Sequence, residues 1–410
     1  MLKVAYLAVP KYLSDGILSS IAKEIHKFGM NYYIETNEEP SKSIPENFDM
    51  ILRIKKELVE EALENIKSRN ILKIVTSVHT LEKHVNERMD FLNPDAIVTT
   101  SDMGGLVTRL CNKWAVNNKR PFFIMQPSFL DECPKTLKTE IINKLMYYGM
   151  NVLLKTPVCR RQGFYGNERK TNYNLIWSDE FSNQLTKETL KNTFYVGNPA
   201  LDKCANQKVR LLVKEPVVLI CTQPYDKLAE MGILKLYQAL EIIVMLEQVV
   251  QQNQNVHFII KVHPSEDENK YVKLFGGMYG KNHAIVQSRK PDGINYCSNI
   301  MNLLKVADIQ VSMASYTSFE SVVAGVPTII LHAEYLNFFD QFNDIAFQHA
   351  KSVEELNSCI RMALNRGNRE SFINWRKDYL NKKLKFFGSS AEITAKTISR
   401  VVEWQRPKFK

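Results

Sequence analysis

The sequence predicts an α/β protein made of two Rossmann-like domains that face a central cleft. Three observations lead there. Short apolar runs alternate with helical stretches through both halves of the chain, the pattern of βα units that build a parallel sheet covered by helices. The runs themselves are continuously apolar, as in Pro327-Thr328-Ile329-Ile330-Leu331, which a strand buried on both faces requires. The length of 410 residues exceeds what one ordinary core organises, so two domains are expected.

Taken in order, residues 3–9 read as a first strand. They lack the h-region and small-residue cleavage site of a signal peptide. Residues 15–28 carry apolar groups at helical spacing (Ile17, Leu18, Ile21, Ile25, Phe28) and stop at Gly29. Strands are expected at 31–35 and 50–54, a charged helix at 57–69, a strand at 72–78, and a helix from there to about Phe91. Strand 96–100, helix 106–117, strand 121–126 and a helix at 134–148 follow. Residues 156–174 are basic and aperiodic and read as a loop; Arg160, Arg161 and Lys170 in it are read as solvated or as contacts for an acceptor. Short strands at 175–178 and 194–196 come next, the second ending in the structural turn Gly197-Asn198-Pro199. After a linker at 205–215, a second series has strands at 217–221, 258–262, 284–287, 309–312 and 328–331, with a strongly apolar helix at 233–252. The expected divisions are 1–205, 206–385, and a C-terminal helix and basic tail at 386–410.

Composition narrows the class. Hydrophobic content of 45% and charged content of 24% are those of a soluble globular chain. No apolar run reaches the roughly 18–20 residues that a membrane span needs. Seven scattered cysteines without a Cys-x-x-Cys pair point to reduced thiols and a cytoplasmic protein, with neither a disulfide framework nor a zinc site. A net charge of +10 calls for anionic partners. Residues 376–410 hold ten Lys/Arg against three Asp/Glu, which reads as a solvated helical face or as peripheral contact with an anionic inner-membrane surface. No aromatic–basic motif accompanies the charge, so no nucleic-acid partner is expected.

The densest chemistry lies in residues 308–331, DIQVSMASYTSFESVVAGVPTIIL. It reads as strand, hydroxyl-rich loop, helix, Gly turn and second strand. Ser312, Ser315, Thr317 and Ser318 fall at a strand's carboxyl end and a helix start, where open α/β sheets bind ligands and free N–H groups favour an anion. Glu320 lies just inside the helix, within reach of a ribose. Lys261-Val262-His263-Pro264 closes another buried strand, with Pro264 ending the ladder. A protonated His263 there would bind a phosphate oxygen or donate a proton to a leaving group. Glu266, Asp267 and Glu268 suit the first turn of a helix as caps. Thr222 and Gln223, after strand 217–221, are further phosphate contacts. In the first half, Asp102 after strand 96–100 reads either as a general base facing the cleft or as the N-cap of the helix that follows. Gln126 is a candidate for an acceptor hydroxyl. Gly-x-Gly-x-x-Gly, the P-loop, His-Glu-x-x-His, Gly-x-Ser-x-Gly and Asp-x-Asp are all absent, so no cofactor and no metal are expected.

The combination Lys261-Val262-His263-Pro264, then Asp308 to Ser312 with Ser315 and Glu320, then Gly325-Val326-Pro327-Thr328, resembles glycosyltransferases of the GT-B fold. The pattern is similar to bacterial capsule and surface-polysaccharide enzymes, both polysialyltransferase-like and CDP-glycerol transferase-like. Tyr195-Val196-Gly197-Asn198-Pro199 and Ser389-Ser390-Ala391-Glu392 also resemble UDP-N-acetylglucosamine 2-epimerases of the same fold. The sialyltransferase resemblance implies that His263 contacts the donor's phosphate, that Ser312 and Ser315 bind it too, and that an acidic residue, here Asp102, acts as base. The epimerase resemblance implies a ribose on Glu320. It also sets Ile124-Met125-Gln126-Pro127 where epimerases carry an acidic catalytic segment, which speaks against epimerisation. The expectation is therefore a metal-independent, inverting glycosyltransferase. The second domain would hold a CMP-, CDP- or UDP-linked donor, with a CMP-linked, sialic-acid-like sugar favoured. The first would hold a glycan or glycolipid acceptor. An epimerase or hydrolase of the same fold, or a non-catalytic nucleotide- or glycan-binding subunit, are the alternatives.

Overall fold

The computed structural model describes residues 1–7, 11–35, 46–68, 70–101, 105–127, 172–185, 187–204, 215–230, 232, 234–263, 265–286, 300–313, 315–332 and 348–405. The chain divides into two compact units, Met1–Asp202 with Lys382–Lys410, and Lys203–Asn381.

In the first unit the strands are β1 (Leu2–Leu7), β2 (Gly29–Glu35), β3 (Met50–Arg53), β4 (Ala96–Thr99), β5 (Phe122–Met125), β6 (Asn172–Ile176) and β7 (Thr193–Tyr195). They form one parallel sheet in the order β3-β2-β1-β4-β5-β6-β7. The helices are α1 (Lys11–Ile25), α2 (Lys56–Ser68), α3 (Ile71–Leu92), α4 (Leu106–Asn117) and the single turn α5 (Lys187–Leu190). The central strands β4 and β5 are buried along their whole length, which is why they read as unbroken apolar runs.

The strand expected at 72–78 is instead the start of α3. Asn70 caps that helix, its side chain accepting from Lys73 N. Ile74, Val78, Leu81, Val85, Met89 and Leu92 are buried at intervals of three and four, the period of a helix with one face on the core. The β-branched cluster at the front of the segment imitates a strand only when seven residues are read alone.

In the second unit the strands are β8 (Val217–Cys221), β9 (His257–Lys261), β10 (His283–Val286), β11 (Ile309–Ser312), β12 (Thr328–Leu331) and β13 (Gln348–Ala350). They form a parallel sheet in the order β10-β9-β8-β11-β12-β13. The edge strand β13 carries no apolar run and escapes the sequence reading. The helices are α6 (Tyr225–Glu230), α7 (Leu236–Gln252), α8 (Glu268–Leu274), α9 (Ile300–Leu304), α10 (Tyr316–Ala324), α11 (Val353–Leu364) and α12 (Arg366–Lys383). Arg376 braces α10 by donating to the Val322 carbonyl at 2.7 Å and the Val323 carbonyl at 2.6 Å.

From Lys382 the chain belongs to the first unit again and ends in α13 (Ser390–Gln405). Asp202 caps that helix, accepting from Gly388 N and Ser390 N at 3.0 Å and Ala391 N at 2.8 Å. The turn at Gly197 shows why glycine stands there. Its φ is +78°, and a Cβ would fall on the Lys385 carbonyl and the Ser390 side chain. The helix expected at 134–148, the basic loop as far as residue 171 with Arg160, Arg161 and Lys170, and the last residues of the tail lie outside the described residues, while Asn172, Tyr173 and Asn174, expected in that loop, open β6 instead.

Candidate functional site

In the second unit the chain runs β8, β9, β10 toward one edge of the sheet and β11, β12, β13 toward the other. The order therefore reverses between β8 and β11, and the crevice beyond the carboxyl ends at such a point is where open α/β sheets take ligands. Three strand ends meet around it. β9 ends at Lys261 and leads to His263. β8 ends at Cys221 and leads to Thr222. β11 ends at Ser312 and feeds α10 through Ser315. Lys261 and Cys221 are in register, so both project to the same face of the sheet.

His263 is partly exposed, and its ring is held from one side. Ser265 N donates to Nδ1 at 3.2 Å, with Ser265 Oγ 2.8 Å from the same atom. An Nδ1 that accepts from a backbone N–H carries no proton, so the ring's hydrogen sits on Nε2. Burial pushes His263 down to about 4, and Lys261 and Lys227 act in the same direction. The protonated imidazole expected from the sequence is thus replaced by a neutral ring that offers one N–H. Pro264 and Asp102 lie outside the described residues.

The hydroxyls expected to line the site separate into two pairs. Ser312 Oγ and Ser318 Oγ are buried and 2.7 Å apart, a bond that ties β11 to α10. Ser315 and Thr317 are only partly buried and stand at the helix start. Ser315 is the N-cap, accepting from Thr317 N at 3.2 Å and Thr317 Oγ1 at 2.9 Å. No acidic residue occupies the first turn of α10, so that turn itself does not offset the helix's positive end.

Glu320 follows one turn in. Burial raises its carboxyl to about 7, against the pull of Lys261 and Lys203. Lys203 carries no sequence signal, because it is remote from the motif. Lys261 was visible as the residue two before His263, on the same face of its strand. The arrangement offers donors for an anion (the Nε2–H of His263, the Ser315 hydroxyl, the start of α10) and one carboxyl able to accept from sugar hydroxyls, while the Thr317 hydroxyl proton is given to Ser315.

Two expected contacts have other occupations. Thr222 is buried; its hydroxyl donates to Glu266 Oε2 at 2.5 Å and accepts from His263 N at 2.9 Å. Gln126 is fully buried in the first unit, its Oε1 accepting from Trp177 N at 2.9 Å while its own carbonyl accepts from Trp177 Nε1 at 2.9 Å. It joins the ends of β5 and β6. Glu266 is no helix cap either: Asp267 caps α8, accepting from Asn269 N at 3.0 Å. Among the described residues no group of three His, Cys, Asp or Glu could hold a metal ion, and no helix is long and apolar enough to cross a membrane.

No protein-family model matches the sequence, and no curated protein matches it. Solved structures do. The chain is similar to UDP-GlcNAc 2-epimerase from Methanocaldococcus jannaschii at 15% identity, covering 98% of this chain and 100% of that one, with a TM-score of 0.59. It is similar to UDP-GlcNAc 2-epimerase from Neisseria meningitidis, solved bound to UDP-GlcNAc, at 11% identity, 98% and 100% coverage and a TM-score of 0.60. The glycosyltransferase SnogD from Streptomyces nogalater matches at 10% identity, 98% and 99% coverage and a TM-score of 0.55. At such identities these likenesses establish the fold. The chain has the GT-B fold class, two Rossmann-like α/β units, as its sequence predicts.

Proposed function

We propose that this protein is a nucleotide-sugar enzyme, and specifically a metal-independent, inverting glycosyltransferase whose second unit binds the donor. The observation that carries this reading is the placement of His263 after β9 and of the Ser315–Thr317 helix start, with Glu320 one turn in, after β11, the two strands that flank β8 where the strand order reverses. A diphosphate on the donors and a ribose on Glu320 use every one of these groups. The neutral Nε2–H of His263 and the start of α10 stabilise charge on the phosphate as it leaves, and preorganised donors of this kind usually supply the largest catalytic term. An acceptor hydroxyl attacks the anomeric carbon and gives up its proton to a carboxylate, for which the first unit offers Asp102. Single displacement inverts the sugar.

The structural neighbours solved with UDP-GlcNAc or UDP support a UDP-linked donor. CMP- and CDP-linked donors, the ones the His-Pro resemblance favours, are the alternatives the first experiment separates. The burial of Gln126 against Trp177 supports transfer over epimerisation, because the segment holding it supplies no acid or base. The epimerase reading stands beside it on the likeness to epimerase structures. The proposal is completed by a surface glycan or lipid-linked acceptor, suggested by the capsule-enzyme resemblance, a cytoplasmic site of action, suggested by the scattered cysteines, and peripheral membrane contact, suggested by the basic C-terminal stretch.

A thermal-shift panel of CMP, CDP, UMP, UDP and GDP tests the donor site, since a ligand that binds the folded state raises its melting temperature. UDP is expected to give the largest shift, and no shift with any nucleotide would overturn the reading. Donor incubated alone then distinguishes the chemistries. An epimer appearing without acceptor identifies an epimerase; product that forms only with a glycan acceptor, and persists in EDTA, identifies the transferase.

A further inference from the structure

We infer that Glu266 is a positioning residue for His263, acting through the hydroxyl of Thr222. The inference rests on the nucleotide-phosphate reading of the site and concerns how that site is held. Both oxygens of Glu266 are engaged: Oε2 accepts from Thr222 Oγ1 at 2.5 Å and Oε1 accepts from Tyr271 OH at 2.8 Å. A carboxylate only accepts, so the single proton of the Thr222 hydroxyl is committed to Glu266. Its lone pairs are left for the backbone N–H of His263, 2.9 Å away. Glu266 N in turn donates to the His263 carbonyl at 3.0 Å. The backbone of His263 is therefore held at its N–H by Thr222 and at its C=O by Glu266. Between the two, Ser265 holds the ring and sets its tautomer.

This chain of bonds joins the carboxyl ends of β8 and β9, where Thr222 N also donates to the Lys261 carbonyl at 3.0 Å. As a stabilising device it is a poor choice. Thr222 is buried, and burial raises the Glu266 carboxyl, so the network holds a desolvated acid where an apolar pair would pack without that penalty. What the network supplies is direction: every bond in it has one permitted donor and one permitted acceptor, ending on the histidine that faces the ligand.

A double-mutant cycle tests it, with UDP and CMP titrated by calorimetry into the full chain. Glu266→Gln keeps the shape but presents an amide, which cannot accept from both Thr222 and Tyr271 on separate oxygens. It is expected to weaken nucleotide binding about tenfold in the wild-type background and to change it less than about twofold in the His263→Ala background, since residues acting through one another are not additive. Thr222→Val should reproduce the loss and Thr222→Ser, which restores the hydroxyl, should recover it. Equal losses with and without His263, or full affinity in Glu266→Gln or Thr222→Val, would overturn the inference while leaving the nucleotide site in place. Absence of nucleotide binding by the wild-type chain would instead overturn the site itself, and the positioning role with it. Should Glu266→Gln fail to fold, the Thr222→Val and Thr222→Ser pair, run through the same cycle, decides alone.

Discussion

The backbone N–H of Ser265 meets Nδ1 of His263 at 3.2 Å, and that contact decides what the histidine offers a ligand. A backbone amide can only donate. The ring must accept on Nδ1, carry its hydrogen on Nε2 and remain neutral. In the proposed phosphate site His263 would then act as a neutral N–H donor and not as an imidazolium, with positive charge coming from Lys261, Lys227 and Lys203.

His263→Ala should weaken nucleotide binding by roughly 10- to 100-fold, the range expected for losing a hydrogen bond to a charged group. Calorimetry with the nucleotide that shifts the wild-type melting temperature measures it. A loss below about twofold would remove His263 from the phosphate site.

The depressed His263 also marks the stability of the protein. Its value falls from 6.5 in an unperturbed ring to about 4 here, so between these limits the unfolded chain binds the extra proton. The contribution of the neutral ring is fully present above 6.5 and lost as pH falls toward 4. The denaturation midpoint in urea should drop across that window in the wild type and drop less in His263→Ala.

Glu320 works with the opposite sign. Its carboxyl moves from 4.5 to about 7, so the folded state holds the proton longer than the unfolded one. That contribution is present below 4.5 and lost as pH rises through 7. Glu320→Gln should raise the melting temperature at alkaline pH by roughly 2–4 °C, the shift of about 1 kcal/mol in a domain of this size, and have no such effect in acid. With a UDP-sugar as ligand, wild-type affinity should rise with pH through about 7, as the carboxylate forms and accepts from the ribose, and Glu320→Gln should flatten that rise.

Gln126→Ala separates a brace from a binding residue. It removes the acceptor of a buried Trp177 N–H, which costs about 1–3 kcal/mol. The melting temperature should fall while nucleotide affinity stays at its wild-type value. A normal melting temperature with impaired use of acceptor would return Gln126 to the substrate.

Gly197→Ala tests the turn that meets α13. A methyl group there strains a backbone at φ +78° and strikes the Lys385 carbonyl. The loss of stability should exceed about 1 kcal/mol. Hydrogen exchange over α13 should accelerate first, because the displaced segment carries the amides that Asp202 caps.

Much of this is legible in the sequence. The apolar runs that became β4, β5, β8, β11 and β12 announce themselves because a strand covered on both faces admits few polar residues. Ser315 as N-cap and Gly325 in a left-handed turn, φ +81°, mark the ends of α10 by local backbone chemistry alone. The same locality misled at residues 72–78, where β-branched side chains outweighed a helical period visible only over the full length of α3. It also left β13 unread, since an edge strand needs no apolar run.

The sequence by itself determined the α/β class, the second series of strands and the positions of His263, Ser315 and Glu320 at strand ends and a helix start. Those are properties of a residue and its near neighbours along the chain. Tertiary structure alone decided which hydroxyls stay open and which are consumed. Ser312 and Ser318 close on each other, Gln126 on Trp177, and Thr222 on Glu266 and His263, some 41 residues further on. A hydrogen-bonding side chain looks the same in sequence whether its partner is a ligand or its own fold, and only the register of the sheet brings the partner within reach.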